Sequence, residues 1–155
     1  MDEIQGKASA RVDATRQSVF DFITDVGRLP EWNAAIEAVT DQPAMLVEGA
    51  EWTVKMHPQG LPRWGSISRV EELDRNRFRF SYQTRNADGN PSYAQWAWEL
   101  ADSGGGTEIA VTWHVHLKTA DRKYFAGPIR KRQLAREVPN SLAALASAMR
   151  AAIVG

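Results

Sequence analysis

The sequence has no cysteine, no excess of charge of either sign and no long apolar run. Without cysteine, the chain can form no disulfide, no thiolate metal site and no cysteine nucleophile. It carries 19 basic and 19 acidic side chains, so its formal net charge at pH 7 is zero. Nucleic-acid binders and polybasic membrane-surface proteins usually carry an excess of clustered Lys and Arg. The charge balance therefore argues against both classes.

Signals for membrane insertion and secretion are also lacking. No run of eighteen apolar residues occurs, so we expect no transmembrane helix. The segment from Met1 to Ile4 is acidic and has no apolar core, which is unlike a signal peptide, and we expect a cytoplasmic protein. The 155 residues are 43% hydrophobic and 25% charged, which indicates one globular domain over residues 1–155.

Tryptophan, by contrast, is abundant. The six indoles are Trp32, Trp52, Trp64, Trp96, Trp98 and Trp113. They could simply fill a core, because each buries a large apolar area. Alternatively, some of them line a pocket for an apolar molecule. Both interpretations stay open at this point.

The last long stretch, residues 128–153, has a helical period. Its apolar residues recur at spacings of three and four: Leu134, Val138, Leu142, Leu145, Met149 and Ile153. This spacing predicts an amphipathic α-helix with one apolar stripe. Pro139 lies inside the stretch and lacks a backbone donor, so we expect a kink near residues 135–139, or a helix over 128–137 followed by a longer one.

Most of the preceding chain alternates with a period of two, which predicts β-strands. The first four predicted strands cover residues 4–13, 35–42, 51–57 and 63–73. Three later strands have alternate residues facing inward, from Phe78 to Tyr82, from Ala94 to Leu100 and from Ile109 to Leu117. A short helix is expected over 16–25, capped by Thr15 and stopped by Gly27, and a second helical turn over 29–33. The whole is an α+β pattern. It predicts a curved antiparallel sheet of six to seven strands wrapped round the long C-terminal α-helix, with a cavity between them.

Three local motifs carry a family resemblance. Residues 14–25 (ATRQSVFDFITD) and 29–33 (LPEWN) resemble the opening motifs of the SRPBCC or START-like superfamily. The Gly-Gly-Gly-Thr run at 104–107 resembles the turn before that family's last strand. The resemblance covers nearly the whole chain and implies a helix-grip fold with a deep, mostly apolar cavity. Members bind lipids, sterols, polyketides or hormones, and some are cyclases or dehydratases; the motifs themselves specify the fold rather than the ligand.

A strand over residues 63–73 carries the most informative polar pattern. Trp64, Ser66 and Ser68 share one face, and two hydroxyls on an inner face would suit a wet cavity better than a dry core. The opposite parity would turn Gly65, Ile67 and Arg69 inward. The Trp-x-Ser pattern resembles aromatic polyketide cyclases, but these tend to carry an arginine where Ser68 stands, and Arg69 is displaced by one position. This departure weakens the cyclase interpretation, because a serine cannot stabilise an enolate as an arginine can.

Twelve residues are predicted to contact a ligand, because they carry large or polar side chains on faces that point inward. They are Trp32, Trp52, Trp64, Ser66, Ser68, Phe80, Tyr82, Trp96, Trp98, Trp113, Leu142 and Leu145. No catalytic residue is assigned. We also expect no metal and no cofactor.

Other polar groups are assigned to solvent. His114 and His116 can both face one side of a strand, but a zinc site needs three or four ligands, so we expect a solvated polar face. His57 is a weak general-base candidate, since nothing nearby in sequence orients it. The basic run Arg130–Arg132, with Arg136, is expected to be solvated, although cations at a helix start oppose the helix dipole and leave an anion site as the alternative. By resemblance, residues 122–125 form a gate beside the cavity mouth.

Two functions from different classes fit these features. The first is a binder or carrier of a hydrophobic small molecule, such as a lipid or a polyketide, without turnover. The second is a cyclase or dehydratase-type enzyme that shapes a reactive chain in the same cavity, with Ser66, Ser68, Tyr82 or Tyr93 as polar handles. A perturbed titratable group inside the cavity would favour the enzyme. An exposed apolar patch on the outer sheet face would instead favour a protein-interaction role.

Overall fold

Seven strands and two α-helices make up the computed structural model, which describes residues 3–154 and the side chains of residues 3–151. The strands are β1 (Glu3–Val12), β2 (Ile36–Asp41), β3 (Glu51–Met56), β4 (Trp64–Asp74), β5 (Arg79–Asn86), β6 (Tyr93–Ser103) and β7 (Gly106–His116). The helices are α1 (Arg16–Thr24), a 3₁₀ helix (Val26–Glu31), a π-helical turn (Arg122–Ala126) and α2 (Gly127–Val154). The predictions for the segment at Met1 and for the side chain of Ile153 lie outside the described residues.

All seven strands form one antiparallel sheet in the order β1-β7-β6-β5-β4-β3-β2. Strands β2 to β7 follow one another as neighbours, and β1 pairs with the outer edge of β7. The register shifts between Val70 and Glu72, and twice in the pairing of β2 with β3, at bulges that bend a sheet. The curved sheet and the long C-terminal helix confirm the predicted α+β helix-grip fold.

The long helix α2 closes the concave face of this sheet. Five residues of its predicted stripe are buried: Leu134, Val138, Leu142, Leu145 and Met149. The helix runs without interruption through Pro139, so the expected division into two helices is wrong. The kink itself stays a prediction. Within residues 3–154, no helix is long and apolar enough to cross a bilayer.

Helix α1 begins as predicted and ends earlier. The Thr15 hydroxyl accepts the backbone N–H of Ser18 at 3.1 Å, which caps the first turn. The helix ends at Thr24, whose hydroxyl donates to the Phe20 carbonyl at 2.7 Å, and Gly27 lies within the following 3₁₀ helix. The prediction that Gly27 stops α1 is therefore wrong, because the backbone already leaves the helical conformation at Asp25, where ψ is 82°.

Phe78 is the second local correction. Alternation predicts it on the inner face of a strand, but it lies in the turn before β5 with a left-handed φ of 56°. The Asp74 carboxylate accepts the N–H groups of Asn76 and Arg77 at 3.0 Å each and holds this turn. The Phe78 ring packs edge-on against Phe20, with centroids 5.8 Å apart. Packing against α1 therefore places this ring, rather than strand alternation.

Candidate functional site

A cavity of about 480 Å³ lies between the concave sheet face and the first half of α2. Inner faces of strands β3 to β7 form one wall, and the 3₁₀ helix with Trp32 closes one side. Eight of the twelve predicted ligand contacts line it: Trp32, Trp52, Trp64, Ser66, Ser68, Tyr82, Trp96 and Trp98. The alternation of the strands is what brings these side chains to one surface.

The other four predicted contacts lie in the core rather than on the cavity wall. Phe80 is buried against Trp52 and Tyr82, with ring centroids 6.2 and 5.1 Å apart. Trp113 packs beside Trp96 at 5.8 Å and covers Gly6, where a Cβ would come within 2.2 Å of the indole. Leu142 and Leu145 are 2% and 0% exposed, on the part of α2 beyond the cavity.

Strand β4 turns Trp64, Ser66 and Ser68 to the inner face, rather than Gly65, Ile67 and Arg69. Ser68 pairs with Trp52, and Ser66 with Val54, so both hydroxyls lie on the inner face. Both residues are buried and line the cavity. Among the described residues, neither hydroxyl has a hydrogen-bond partner, and both are placed to hydrogen-bond to whatever occupies the cavity.

Tyr82 adds a hydroxyl to the same wall. The Trp98 indole N–H donates to its oxygen at 3.2 Å. Burial raises the pKa of Tyr82 to about 12, although the Trp98 hydrogen bond acts in the opposite direction. The phenol is therefore neutral at physiological pH. Its own proton remains available to a ligand acceptor, and it cannot serve as a base.

Four polar residues of α2 line this cavity and were not predicted to do so: Arg130, Gln133, Glu137 and Ser141. The Arg130 guanidinium lies 5.8 Å from the Trp64 ring centroid and 3.8 Å from the Glu137 carboxylate. Burial lowers the pKa of Arg130, and Glu137 only partly offsets this effect. The solvated face predicted for the basic run is thus wrong for Arg130.

The rest of that basic run is exposed, as predicted: Lys131, Arg132 and Arg136. The helical period contained the signal that separates Arg130 from them. Arg130 stands four residues before Leu134 and eight before Val138, so it extends the buried stripe by one turn.

Comparison with known proteins agrees with this geometry. A model of the family described as "Polyketide cyclase / dehydrase and lipid transport" matches residues 3–150. The chain belongs to this family. No curated protein matches the sequence.

Solved structures of the same fold are distant in sequence. TTHA0849 from Thermus thermophilus has a TM-score of 0.73 and 16% identity, over 97% of this chain and 98% of that one. CV1439 from Chromobacterium violaceum also has a TM-score of 0.73 and 16% identity, over 94% and 96%. Ara h 8.0201 has a TM-score of 0.71 and 14% identity, over 96% and 99%. These likenesses establish the fold alone.

The segment that the family resemblance marks as a gate lies at the cavity mouth. Arg122 and Ala126 of the π-helical turn line the cavity, while Tyr124 and Phe125 are 68% and 74% exposed. Arg122 is paired with Asp88 of the β5–β6 loop at 3.3 Å. π-Helical turns are frequent at functional sites. Opening of this segment stays a prediction.

The histidines lie away from the cavity. His57 faces Glu37 at 3.8 Å and does not line the cavity wall. The His114 and His116 rings lie 3.9 Å apart with a tilt of 34°, and Glu3 from β1 reaches His114 at 3.1 Å and His116 at 3.6 Å. These three could share one metal ion, but the part of the chain described supplies no fourth His, Cys, Asp or Glu. Burial, more than neighbouring His114, lowers the pKa of His116.

Proposed function

We propose that this protein binds a hydrophobic small molecule, a lipid or a polyketide, in the cavity between sheet and α2, as a carrier or binding protein. The observation that carries the proposal is the cavity itself. It measures about 480 Å³, within the range of ligand pockets, and indoles form much of its wall. The expected cytoplasmic location is part of the same proposal.

The aromatic contacts support a preformed site. Trp32 and Trp98 meet edge to face at 5.7 Å, and Trp52 meets Tyr82 at 5.1 Å. Such pairs hold each other's orientation. A ligand would therefore meet a rigid wall and lose little binding free energy to reorganisation.

The second candidate, a cyclase or dehydratase-type enzyme, has one specific observation in its favour. Titratable groups with perturbed pKa values, Tyr82 and Arg130, do lie in the cavity. However, a phenol with a pKa of about 12 and an arginine are fixed hydrogen-bond donors at neutral pH. They can orient a ligand or stabilise charge, and neither can abstract a proton. The Glu137 carboxylate on the same wall could act as a base, but it already accepts the Gln133 amide N–H at 2.9 Å. Binding without turnover is therefore the function we propose first.

The interaction role has less support. The large exposed apolar residues among those described are Met45, Val47, Tyr124, Phe125 and Ile129. None of them belongs to a strand, so they form no patch on the outer sheet face. Three of them lie at the cavity mouth, where they fit ligand entry better.

Native mass spectrometry of the freshly purified protein, with organic extraction, tests the proposal. We expect a retained apolar molecule, or micromolar binding of the neutral fluorophore N-phenyl-1-naphthylamine. Ala94→Trp should block binding, because Ala94 lines the cavity. Ala97→Trp on the same strand is the matched control, since Ala97 is on the opposite face and should leave binding intact.

Three outcomes separate the candidates. Loss of binding in the Ala94 variant alone, with both variants folded by circular dichroism, supports the cavity as the site. A bound molecule that is released chemically altered would favour the enzyme. An empty protein that binds no apolar probe, or equal binding by both variants, would contradict the proposal.

A further inference from the structure

Four buried polar atoms lack a hydrogen-bond partner in the described structure, and all four belong to residues that line the cavity. They are Trp32 Nε1, Arg122 Nε, Arg130 Nη1 and Gln133 Oε1. A buried polar atom without a partner is costly, and native structures contain few. The atoms themselves have almost no accessible surface, but the side chains that carry them all line one cavity, so its occupant is the nearest source of further hydrogen-bond partners. Three of the four are donors, which points to an occupant rich in acceptor oxygens.

Among the arginines that line the cavity, Arg130 has the most distant carboxylate partner. Arg63, Arg122 and Arg85, which also line the cavity, have carboxylate partners at 3.1, 3.3 and 3.6 Å. The only carboxylate near Arg130 among the described side chains is Glu137 at 3.8 Å, beyond hydrogen-bond length. Glu137 instead accepts the Gln133 amide N–H at 2.9 Å. The Arg130 side chain is 27% exposed and a guanidinium remains charged in proteins, so an anion in the cavity would complete a pairing that Glu137 makes only at long range.

We infer that Arg130 binds an acidic oxygen of the ligand, so that the ligand is an amphipathic acid rather than a neutral apolar molecule. Its carboxylate or other acidic oxygen contacts Arg130, and its apolar body lies against Trp32, Trp64 and Trp98. The inference rests on the proposed function and specifies the ligand class for the same cavity. An arginine can grip a carboxylate with two parallel hydrogen bonds, which fixes the orientation of the ligand as well as its charge.

Two fluorophores with nearly the same aromatic body test this inference. 1-Anilinonaphthalene-8-sulfonate carries an anionic group, and N-phenyl-1-naphthylamine lacks it. We expect Arg130→Met to weaken binding of the anionic probe about tenfold or more, the usual effect of losing a charged hydrogen bond. Binding of the neutral probe should change less than about twofold.

Two further variants control for charge and for folding. Arg136→Met removes the same charge from an exposed position of α2 and should alter neither probe. Arg130→Lys keeps the charge and should retain much of the anionic preference. Thermal melting of each variant verifies the fold. Equal effects of Arg130→Met and Arg136→Met on the anionic probe, or equal weakening of both probes, would overturn the inference while leaving the proposed function standing.

Displacement of the neutral probe shows whether the acid has a chain body, as a lipid does, or a ring body, as an aromatic polyketide does. Dodecanoate is compared with dodecanol, and 2-naphthoate with 2-naphthol. Stronger displacement by either acid than by its alcohol, lost in Arg130→Met, supports the inference and identifies a chain or ring body. Alcohols that displace as well as their acids would overturn it. Failure of both fluorophores to bind wild-type protein would instead overturn the proposed function, and this inference with it.

Discussion

The two halves of α2 face the same sheet and differ in what they bury. The second half contributes Leu142, Leu145 and Met149, which are 0 to 3% exposed in a closed apolar core. The first half contributes Arg130, Gln133 and Glu137 to the cavity wall. We call these regions the closed end and the open end. One helix thus stabilises the fold at one end and, under the proposed function, recognises a ligand at the other.

Hydroxyl groups show the same difference. At the closed end, Thr107 is fully buried and its hydroxyl donates to the Ala14 carbonyl at 2.7 Å. At the open end, the hydroxyls of Ser66 and Ser68 have no partner in the described structure. Polar groups without partners reduce stability, and natural proteins retain them mainly where function requires them. The difference is what a binding site at the open end would require, and it supports the proposed function.

The largest effect is expected at the closed end. Leu145→Ala should lower the free energy of unfolding by about 2–5 kcal/mol, because it removes apolar contact and leaves a void in a filled core. Chemical denaturation measures this change. Ile129→Ala on the same helix is the control, since Ile129 is 56% exposed and should change stability by less than about 0.5 kcal/mol. Similar losses in both variants would break the distinction between the two ends.

Gly6 tests the boundary between the two regions. A Cβ at Gly6 would lie 2.2 Å from the Trp113 ring, so Gly6→Ala should destabilise the fold by about 1–3 kcal/mol. The displaced Trp113 would press on Trp96, which lines the cavity, and binding of an apolar probe should weaken as well. Gly65→Ala, where the nearest atom is 3.2 Å away, should have a smaller effect on denaturation.

A pair of hydroxyl deletions compares the two ends directly. Thr107→Ala should cost about 1–2 kcal/mol, because it leaves the buried Ala14 carbonyl without its donor. Ser68→Ala should change stability by less than about 0.5 kcal/mol, since no protein hydrogen bond is lost. It should also leave binding of N-phenyl-1-naphthylamine unchanged or tighter. A large loss of stability in the Ser68 variant would show that its hydroxyl has a structural partner.

Much of this organisation could be predicted from the sequence, since it follows from periodicity. The period of two identified the inner faces of the strands, including Ser66 and Ser68. The period of 3.6 identified the stripe of α2. The error at Phe78 arose because the Asp74 side chain hydrogen-bonds locally and such contacts override propensity. The error at Gly27 arose because the backbone leaves the helix two residues earlier, at Asp25.

The contents of the open end were harder to predict. Charged residues are rarely buried, which favours solvent for Arg130, although its helical phase is that of the stripe. Which part of the stripe meets a filled core and which meets a cavity depends on tertiary packing. Leu142 and Leu145 therefore could not be distinguished from cavity-lining residues by pattern alone.

The smallest effect is expected for Tyr82, because the protonation state of its phenol does not change near neutral pH. Its folded pKa of about 12 exceeds the usual value of 10, so its contribution to stability is complete below pH 10 and is lost as the pH rises towards 12. The difference in tyrosinate absorbance between wild type and Tyr82→Phe should therefore remain near zero up to about pH 11. Circular dichroism verifies the fold over the same range. A difference with a midpoint near the usual value of 10 would show that water reaches this hydroxyl freely, and the open end would then be solvated rather than a shielded binding surface.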